Sequence, residues 1–580
     1  MTAKIPLIKG ETNTGTIMSH GYDSKLTTWS PFHGALYAVI ESVAKIAAAG
    51  GDYSKIRFTF QEYFERLRNN PERWGKPFSA LLGAYRAQKD FGLPAIGGKD
   101  SMSGTFKDID VPPTLVSFAV DTVDVNNVIS PEFKKDSSKL VYLPVERDEA
   151  EMPDIAKLKK NYSRVEKLIS EAKIYAASAI TIGGLAEAIS KMSFGNKIGA
   201  EITAKLDQEE LFSPEYGALI LEVPAAFEPE ILFNDLDFKV IGKTIKEEVI
   251  KINGIKISIA EALKSWEEPL EKIYKTEVAE DEITALVEPE IEKELLNLDH
   301  FQSEQSFSPQ IKVAKPRVLI PVFPGTNCEY DTARQFREAG AEVETFIFKN
   351  LEPEQVKDSI EKMAALISDS QIIMLPGGFS AGDEPDGSGK FIAAVFRNPE
   401  IKAAVMELLN NRDGLMLGIC NGFQALVKLG LLPYGEIRDL TEASPTLTYN
   451  TIGRHVSQMV NTKIVSTKSP WLANVKTGDI HSIPVSHGEG RFAAEPAELR
   501  KLKQNGQIVT QYVDLEGNPT MEIPYNPNGS IAAVEGICSP EGRVFGKMGH
   551  SERIGKNVAK NISGEKDQKL FQAGVDYFTK

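Results

Sequence analysis

The chain is 580 residues long, carries a net charge of −15, and is 42% hydrophobic and 25% charged. That length and composition describe three or four globular units, and the acidic balance argues against nucleic acid as a partner. No apolar run is long enough to span a bilayer, and the opening residues, MTAKIPLIKGE, lack the apolar core of a signal peptide, so no membrane partner is expected. Three cysteines, Cys328, Cys420 and Cys538, fall in neither a metal-binding nor a disulfide spacing, from which a reducing, cytoplasmic setting is expected.

In chain order, residues 1–130 are expected to hold a small-residue helix over Ala35–Gly50, further helices over Phe58–Arg68 and Phe78–Phe91, and then a loop, Pro94–Gly104. The end of that loop, Gly97-Gly98-Lys99-Asp100-Ser101-Met102-Ser103-Gly104, gathers flexible backbone, a cation, a carboxylate and two hydroxyls. That is the inventory for holding a phosphate and Mg²⁺. A solvent-exposed turn is the competing reading, and the spacing is not that of a Walker A loop.

After a division near Ser130-Pro131-Glu132, residues 131–265 predict a strand at Leu140–Leu143, a long helix around Ile155–Ala172, a Gly183-Gly184 turn into a helix at Leu185–Met192, and a strand at Ala218–Val223. Residues 266–312, rich in Glu with few apolar residues, read as an acidic linker. Residues 313–580 alternate strands (Lys315–Val322, Val343–Phe348) with helix (Asp331–Ala339). A mostly parallel α/β sheet requires such alternation, and it places functional loops at the carboxyl ends of strands.

Within this last part the run Gly414–Gly422, GLMLGICNG, ends an apolar strand at a cysteine flanked two residues away on each side by glycine. This is the pattern of a nucleophile elbow: the glycines permit a sharp strand-to-helix turn, and the helix start aims N–H groups at the sulfur. A buried core cysteine is the alternative. Upstream, Ile372–Ser380 is a second apolar strand ending in Gly377-Gly378, whose bare amides, with the N–H of Asn421, can form an oxyanion hole. Downstream, Gly549-His550-Ser551-Glu552 offers a base and a carboxylate to orient it.

These three motifs, in this order, resemble the class I glutamine amidotransferases, with Cys420 as nucleophile, His550 as base, Glu552 as its orienter, and Gly378 and Asn421 as the oxyanion hole. The resemblance extends to the phosphoribosylformylglycinamidine synthase family. Its glutaminase is matched by FPGTNCEYD (Phe323–Asp331), PGGFSAGDE (Pro376–Glu384), GICNGFQAL (Gly418–Leu426), SHGEGRF (Ser486–Phe492) and HSER (His550–Arg553). Its second A-type synthetase subdomain is similar to residues 1–130 through SPFHGA (Ser30–Ala35), Glu41 and GGKDSMSG; its second B-type subdomain is similar to residues 131–265 through Gly183–Ala188, Gly199–Ile202 and Leu211–Ser213.

The fold so implied is an α/β and α+β multidomain chain, a PurM-like A/B half followed by a glutaminase with a flavodoxin-like open sheet. The activity implied is conversion of formylglycinamide ribonucleotide, ATP and glutamine to the amidine, ADP, phosphate and glutamate. ATP or ADP and Mg²⁺ are the implied cofactors, with Gly98, Lys99, Asp100, Ser101 and Ser103 at the nucleotide and Glu41 and Asp100 at the metal.

The family's full-length enzyme carries an N-terminal domain, a linker and a first A/B pair ahead of the region matched, so a partner synthetase half, on the same or a separate polypeptide, is expected. The alternative is a stand-alone glutaminase with a non-catalytic nucleotide-binding scaffold. Three departures bear on this choice. The B-type signature's His and Asp are missing before Gly183; Lys45 stands four residues after Glu41, where relatives carry Asn; and the usual His-Pro-Glu is His550-Ser551-Glu552. His487 and Glu489 repeat the spacing of His550 and Glu552, but the family's base comes last in the chain, which leaves His487 to line an ammonia exit or a domain interface. Cys328 and Cys538 read as inert thiols, His33 as a structural loop histidine, and Arg454 and His455 as surface residues or a gate.

Overall fold

The computed structural model describes the whole chain except residues 8, 277, 279–293, 295, 297, 299–300, 303–307, 383–386 and 557. Much of the expected linker, and Asp383 and Glu384 at the end of PGGFSAGDE, therefore lie outside the described residues. The chain divides into two compact units, Met1–Pro269 and Leu270–Lys580.

Among its described residues the first unit contains two large sheets and a two-stranded ribbon, Thr105–Phe106 with Ile109–Asp110. One large sheet comprises β1 (Thr2–Lys4), β2 (Thr14–Gly21), β3 (Arg57–Tyr63), β4 (Ala95–Ser101) and β5 (Thr114–Asp124), in the order β1-β2-β5-β3-β4. Its principal helices are α1 (Pro31–Ala48) and α2 (Pro71–Phe91), which begin at Ser30 and Asn70 caps followed by proline, ahead of the expected starts. The small residues of α1 make it apolar nearly all round, and it is buried accordingly. The other sheet runs β12-β11-β8-β10-β6-β9-β7, with β6 (Lys139–Leu143), β7 (Ala176–Ala179), β8 (Gly199–Ile202), β9 (Leu219–Val223), β10 (Lys239–Ile245), β11 (Val249–Ile252) and β12 (Ile255–Ser258). Helices α3 (Ile155–Ser170) and α4 (Gly184–Phe194) accompany it.

Two expectations for this unit are corrected. The segment expected as a helix from Phe58 is strand β3, because RFTFQEY alternates aromatic and polar residues at the period of a strand and pairs on both edges, with β5 and β4. The expected glycine loop is largely strand β4, parallel to β3 in the register Phe60↔Gly98, Gln61↔Lys99 and Glu62↔Asp100.

The second unit is built on one nine-stranded sheet. Its strands are β13 (Arg317–Val322), β14 (Glu342–Ile347), β15 (Ile372–Leu375), β16 (Leu415–Ile419), β17 (Val456–Ile464), β18 (Ile480–His487), β19 (Ile508–Val513), β20 (Val534–Cys538) and β21 (Val544–Lys547). They lie in the order β14-β13-β15-β16-β21-β20-β19-β17-β18. The first five are mutually parallel and the remainder antiparallel. Strands β15 and β16 are buried along their whole length, as continuous apolar runs in a covered parallel sheet must be. Helices α5 (Glu329–Glu338), α6 (Pro353–Asp369), α7 (Pro399–Asn411), α8 (Asn421–Leu429) and α9 (Leu570–Thr579) belong to this unit. Trp471 and Phe336 are fully buried in its core, their ring centroids 6.3 Å apart.

Candidate active site

Parallel pairing brings the separated motifs together. Leu375 stands opposite Gly418, and Ile419 opposite Lys547, so β15, β16 and β21 end side by side and release their loops at one edge. The loops carry Gly377 and Gly378, Cys420, and His550 to Glu552 respectively.

At the middle loop Cys420 occupies φ 52°, ψ −106°, between β16 and α8. This left-handed-side backbone is strained for a residue with a Cβ, and it forces the turn that separates the sulfur from the strand. Gly422 is needed beside it: a Cβ there would lie 2.0 Å from the Leu375 carbonyl oxygen. The Cys420 N–H donates to the Lys547 carbonyl at 2.9 Å, tying elbow to base loop. Cys420 is 5% exposed.

His550 is buried, with its N–H donating to the Pro484 carbonyl at 2.8 Å. Its Nδ1 is 2.6 Å from Oε1 of the fully buried Glu552. Its Nε2 has no hydrogen-bond partner among the described residues. Burial alone would push the imidazole's pKa down, but the Glu552 carboxylate and the Cys420 sulfur outweigh it and hold the ring well above its ordinary value. Burial likewise pushes Glu552 up, and the facing imidazole more than offsets that and leaves its pKa low. The two form a charged pair at neutral pH, with one ring nitrogen tied and the other uncommitted.

Gly378 sits in the neighbouring loop at φ 152°, and Asn421 begins α8; its side-chain Oδ1 accepts the Ser380 N–H at 3.3 Å. Of the two proposed oxyanion donors, Gly378 is therefore on the loop after β15 and Asn421 is the first residue of α8, next to Cys420.

Cys328, read from the sequence as an inert thiol, is part of this cluster. Its sulfur is 3.8 Å from His550 Nδ1 and accepts from Arg553 Nη2 at 3.3 Å. Sulfur, imidazole nitrogen and Glu552 oxygen lie within 4.8 Å of one another. The missed signal was positional: Cys328 follows β13, the parallel neighbour of β15. Cys538 does behave as a core thiol, buried and pushed up to about 12 by desolvation.

His487 is buried beside the elbow, its Nδ1 3.2 Å from Asn450 Oδ1, and burial reinforced by the charge of His550 pushes it down to about 3. A histidine held neutral in this way is a poorer partner for a thiolate than His550. Glu489 accepts the Ser388 N–H at 2.8 Å through its side chain and the Gln424 amide through its carbonyl. His455 Nε2 is 3.0 Å from Ser486 Oγ, and His33 Nε2 3.0 Å from the Ala150 carbonyl.

In the first unit the expected nucleotide and metal residues are dispersed. Gly98, Lys99 and Asp100 are exposed along β4, Ser101 ends that strand and Ser103 follows it. Lys99 Nζ is spent on the Asp100 carbonyl and on Ser101 Oγ. Glu41 lies instead on α1, where Oε1 is 2.7 Å from Lys45 Nζ and Oε2 accepts the Tyr22 N–H at 3.0 Å. It lines a cavity of about 530 Å³ together with Lys45, Ser178, Thr181, Glu187 and Lys191, and none of the β4 residues is in that lining. At the paired glycines the Glu187 carboxylate accepts from the Gly183 N–H and from Thr181, both at 2.8 Å, so an acidic side chain fills the position an anion would take. Glu41 is paired with Lys45, and Asp100 is absent from the lining of the cavity that Glu41 faces.

Residues 315–578 match the family model for the CobB/CobQ-like glutamine amidotransferase domain, and residues 133–254 match that for the AIR synthase related protein, C-terminal domain. The chain is 35% identical over 288 residues to the phosphoribosylformylglycinamidine synthase subunit PurQ of Methanococcus maripaludis, covering 47% of this chain and all of that one. It is 33% identical over 251 residues to the subunit of the same name from Aquifex aeolicus, covering 43% of this chain and 95% of that one. A solved chain described as PurLQS from Thermotoga maritima aligns at a TM-score of 0.33 and 27% identity, over 45% of this chain and 99% of its own.

Proposed function

The chain belongs to the family of phosphoribosylformylglycinamidine synthase subunit PurQ, and from that premise we propose that it releases ammonia from glutamine at Cys420 for the amidation of formylglycinamide ribonucleotide in purine biosynthesis. The Cys420 thiolate attacks the glutamine side-chain amide carbon, and the main-chain amides of Gly378 and Asn421 receive the oxyanion. The tetrahedral adduct collapses to a γ-glutamyl thioester as His550 Nε2 gives its proton to the departing ammonia. Water, losing a proton to the same nitrogen, then hydrolyses the thioester to glutamate. Glu552 stays ionised throughout and fixes the ring through Nδ1.

The observation that carries this reading is the asymmetry of His550: Nδ1 is bound to Glu552, while Nε2 is left uncommitted beside a strained elbow cysteine. Its test is glutamine hydrolysis by the full chain carrying Cys420→Ala; loss of turnover in a folded variant supports the assignment, and retained turnover refutes it.

The ATP-dependent step is assigned to an A/B synthetase arrangement of which the first unit is one part, joined by a partner half that binds formylglycinamide ribonucleotide and ATP. A second reading, in which the first unit is a nucleotide-binding scaffold that does not turn ATP over, is favoured by the Lys45 ion pair at Glu41 and by Glu187 filling the glycine turn.

A further inference from the structure

Directly beneath the base loop lies an ion pair with no access to solvent. Lys547 and Glu535 are both 0% exposed, with Nζ and Oε1 3.2 Å apart. A buried ion pair is a weak source of stability, because desolvating two charges consumes most of what their attraction returns. What distinguishes this pair is where its hydrogen bonds go. Besides Glu535, the Lys547 ammonium donates to the Gly549 carbonyl at 3.1 Å and to Ser551 Oγ at 2.8 Å, the residues immediately before and after His550. Glu535 accepts the Gly549 N–H at 2.7 Å and Thr510 Oγ1 at 2.5 Å. The Ser551 hydroxyl donates a hydrogen bond to Gln568 Oε1 at 2.6 Å, and Gln568 Nε2 donates to Thr462 Oγ1 at 3.2 Å. The main-chain carbonyl of Lys547 meanwhile accepts the Cys420 N–H. One buried residue thus grips the base loop on both sides and the nucleophile's backbone.

We propose that Lys547, through Glu535 and Ser551, is the positioning residue that sets His550 against Cys420. The serine is integral to it. A proline at 551, the residue of the usual His-Pro-Glu pattern, could neither accept from Lys547 nor donate to Gln568; in this chain the hydroxyl network holds the turn.

The inference rests on His550 and Cys420 being the working pair, so Cys420→Ala serves as the control: if that variant still hydrolyses glutamine, the proposed function fails, whatever Lys547 does. With Cys420 shown essential, the test compares the full chain with the double variant Lys547→Met/Glu535→Gln, which leaves no unpaired buried charge, and with Ser551→Ala and Ser551→Thr. The readouts are kcat and KM for glutamine and the pH dependence of Cys420 alkylation by iodoacetamide. A positioning role lowers kcat on the order of 10²-fold in the double variant, the scale of a misplacement of about 1 Å, with little change in KM. It also shifts the alkylation profile, and the threonine variant recovers what the alanine variant loses. A folded double variant with the parent's kcat and alkylation profile overturns it. If the double variant does not fold, Ser551→Ala decides: a lowered kcat restored by Ser551→Thr supports the role, and an unchanged kcat overturns it.

Discussion

Gly377 lies against the edge of the His550 ring: a Cβ added to it would stand 2.7 Å from Cε1 and 3.2 Å from the Cys328 sulfur. The glycine therefore does more than free the backbone of its loop; it leaves the space in which the imidazole lies. Gly377→Ala should push the ring away from Cys420 and lower glutamine hydrolysis on the order of 10²-fold, as misplacement by about an ångström does, while circular dichroism remains that of the parent. Full activity in that variant would show that the ring has room the structure does not give it.

The Glu552 carboxylate is what keeps the buried His550 protonated against desolvation. In Glu552→Gln the imidazole should lose its proton at lower pH, so the alkaline limb of Cys420 alkylation should move toward acid. The stability effect has a definite window. The raised His550 contributes fully below its unfolded value of 6.5 and fades as pH climbs through the folded value; the lowered Glu552 contributes fully above its unfolded 4.5 and fades on acidification. The melting temperature of the parent should therefore exceed that of Glu552→Gln most between these two values and by less at alkaline pH, as read by thermal scans across pH.

How far the site was legible in the sequence follows from what kind of contact made each part. The elbow at Cys420 was legible because local chemistry dictates it: two glycines, an apolar strand and a helix start within nine residues. The pairing of His550 with Glu552 is likewise a matter of two positions. Cys328 was missed because nothing local connects it to residue 550; only the strand order β13-β15-β16-β21 brings both to one edge. For the same reason nothing in the sequence singles out Lys547; the register with Ile419 sets it in the buried centre of the sheet. In the first unit, the glycines suggested a loop over Pro94–Gly104, yet Gly98 lies in an exposed strand where the Phe60 carbonyl approaches to 2.7 Å of a would-be Cβ.

Trp471 is fully buried, its Nε1 donating to the Arg543 carbonyl at 3.2 Å, with Gly574 of α9 packed against its ring. Trp471→Ala should cost the second unit about 3–5 kcal/mol, the usual range for emptying a large aromatic site. Urea denaturation followed by a probe in that unit would read this as a lowered midpoint; an unchanged midpoint would mean that the ring does not anchor α9.

If the first unit is a scaffold, ADP should stabilise it by RT ln(1 + [L]/Kd), and so raise its melting temperature, without being consumed. Because Glu41, Lys45 and Lys191 line the cavity and Asp100 does not, Asp100→Asn should leave the shift intact. Absence of any shift, or hydrolysis of ATP by this chain alone, would contradict the scaffold reading.

Removing the base tests the division of labour within the dyad. His550→Ala should slow hydrolysis by roughly 10²–10⁴-fold, the range for loss of a general acid–base group, while Cys328→Ala, which removes a neighbour of the ring but not the nucleophile, should retain turnover. A Cys328→Ala variant as inactive as His550→Ala would move the thiol chemistry to the other sulfur.

The choice between the two sulfurs beside His550 is settled most directly by covalent labelling. A diazo-ketone analogue of glutamine, incubated with the full chain and followed by peptide mass spectrometry, should modify Cys420 and neither Cys328 nor Cys538, and should label nothing in Cys420→Ala. Modification of Cys328 in the parent, or glutamine turnover undiminished in Cys420→Ala, would contradict the assignment of Cys420 as the nucleophile.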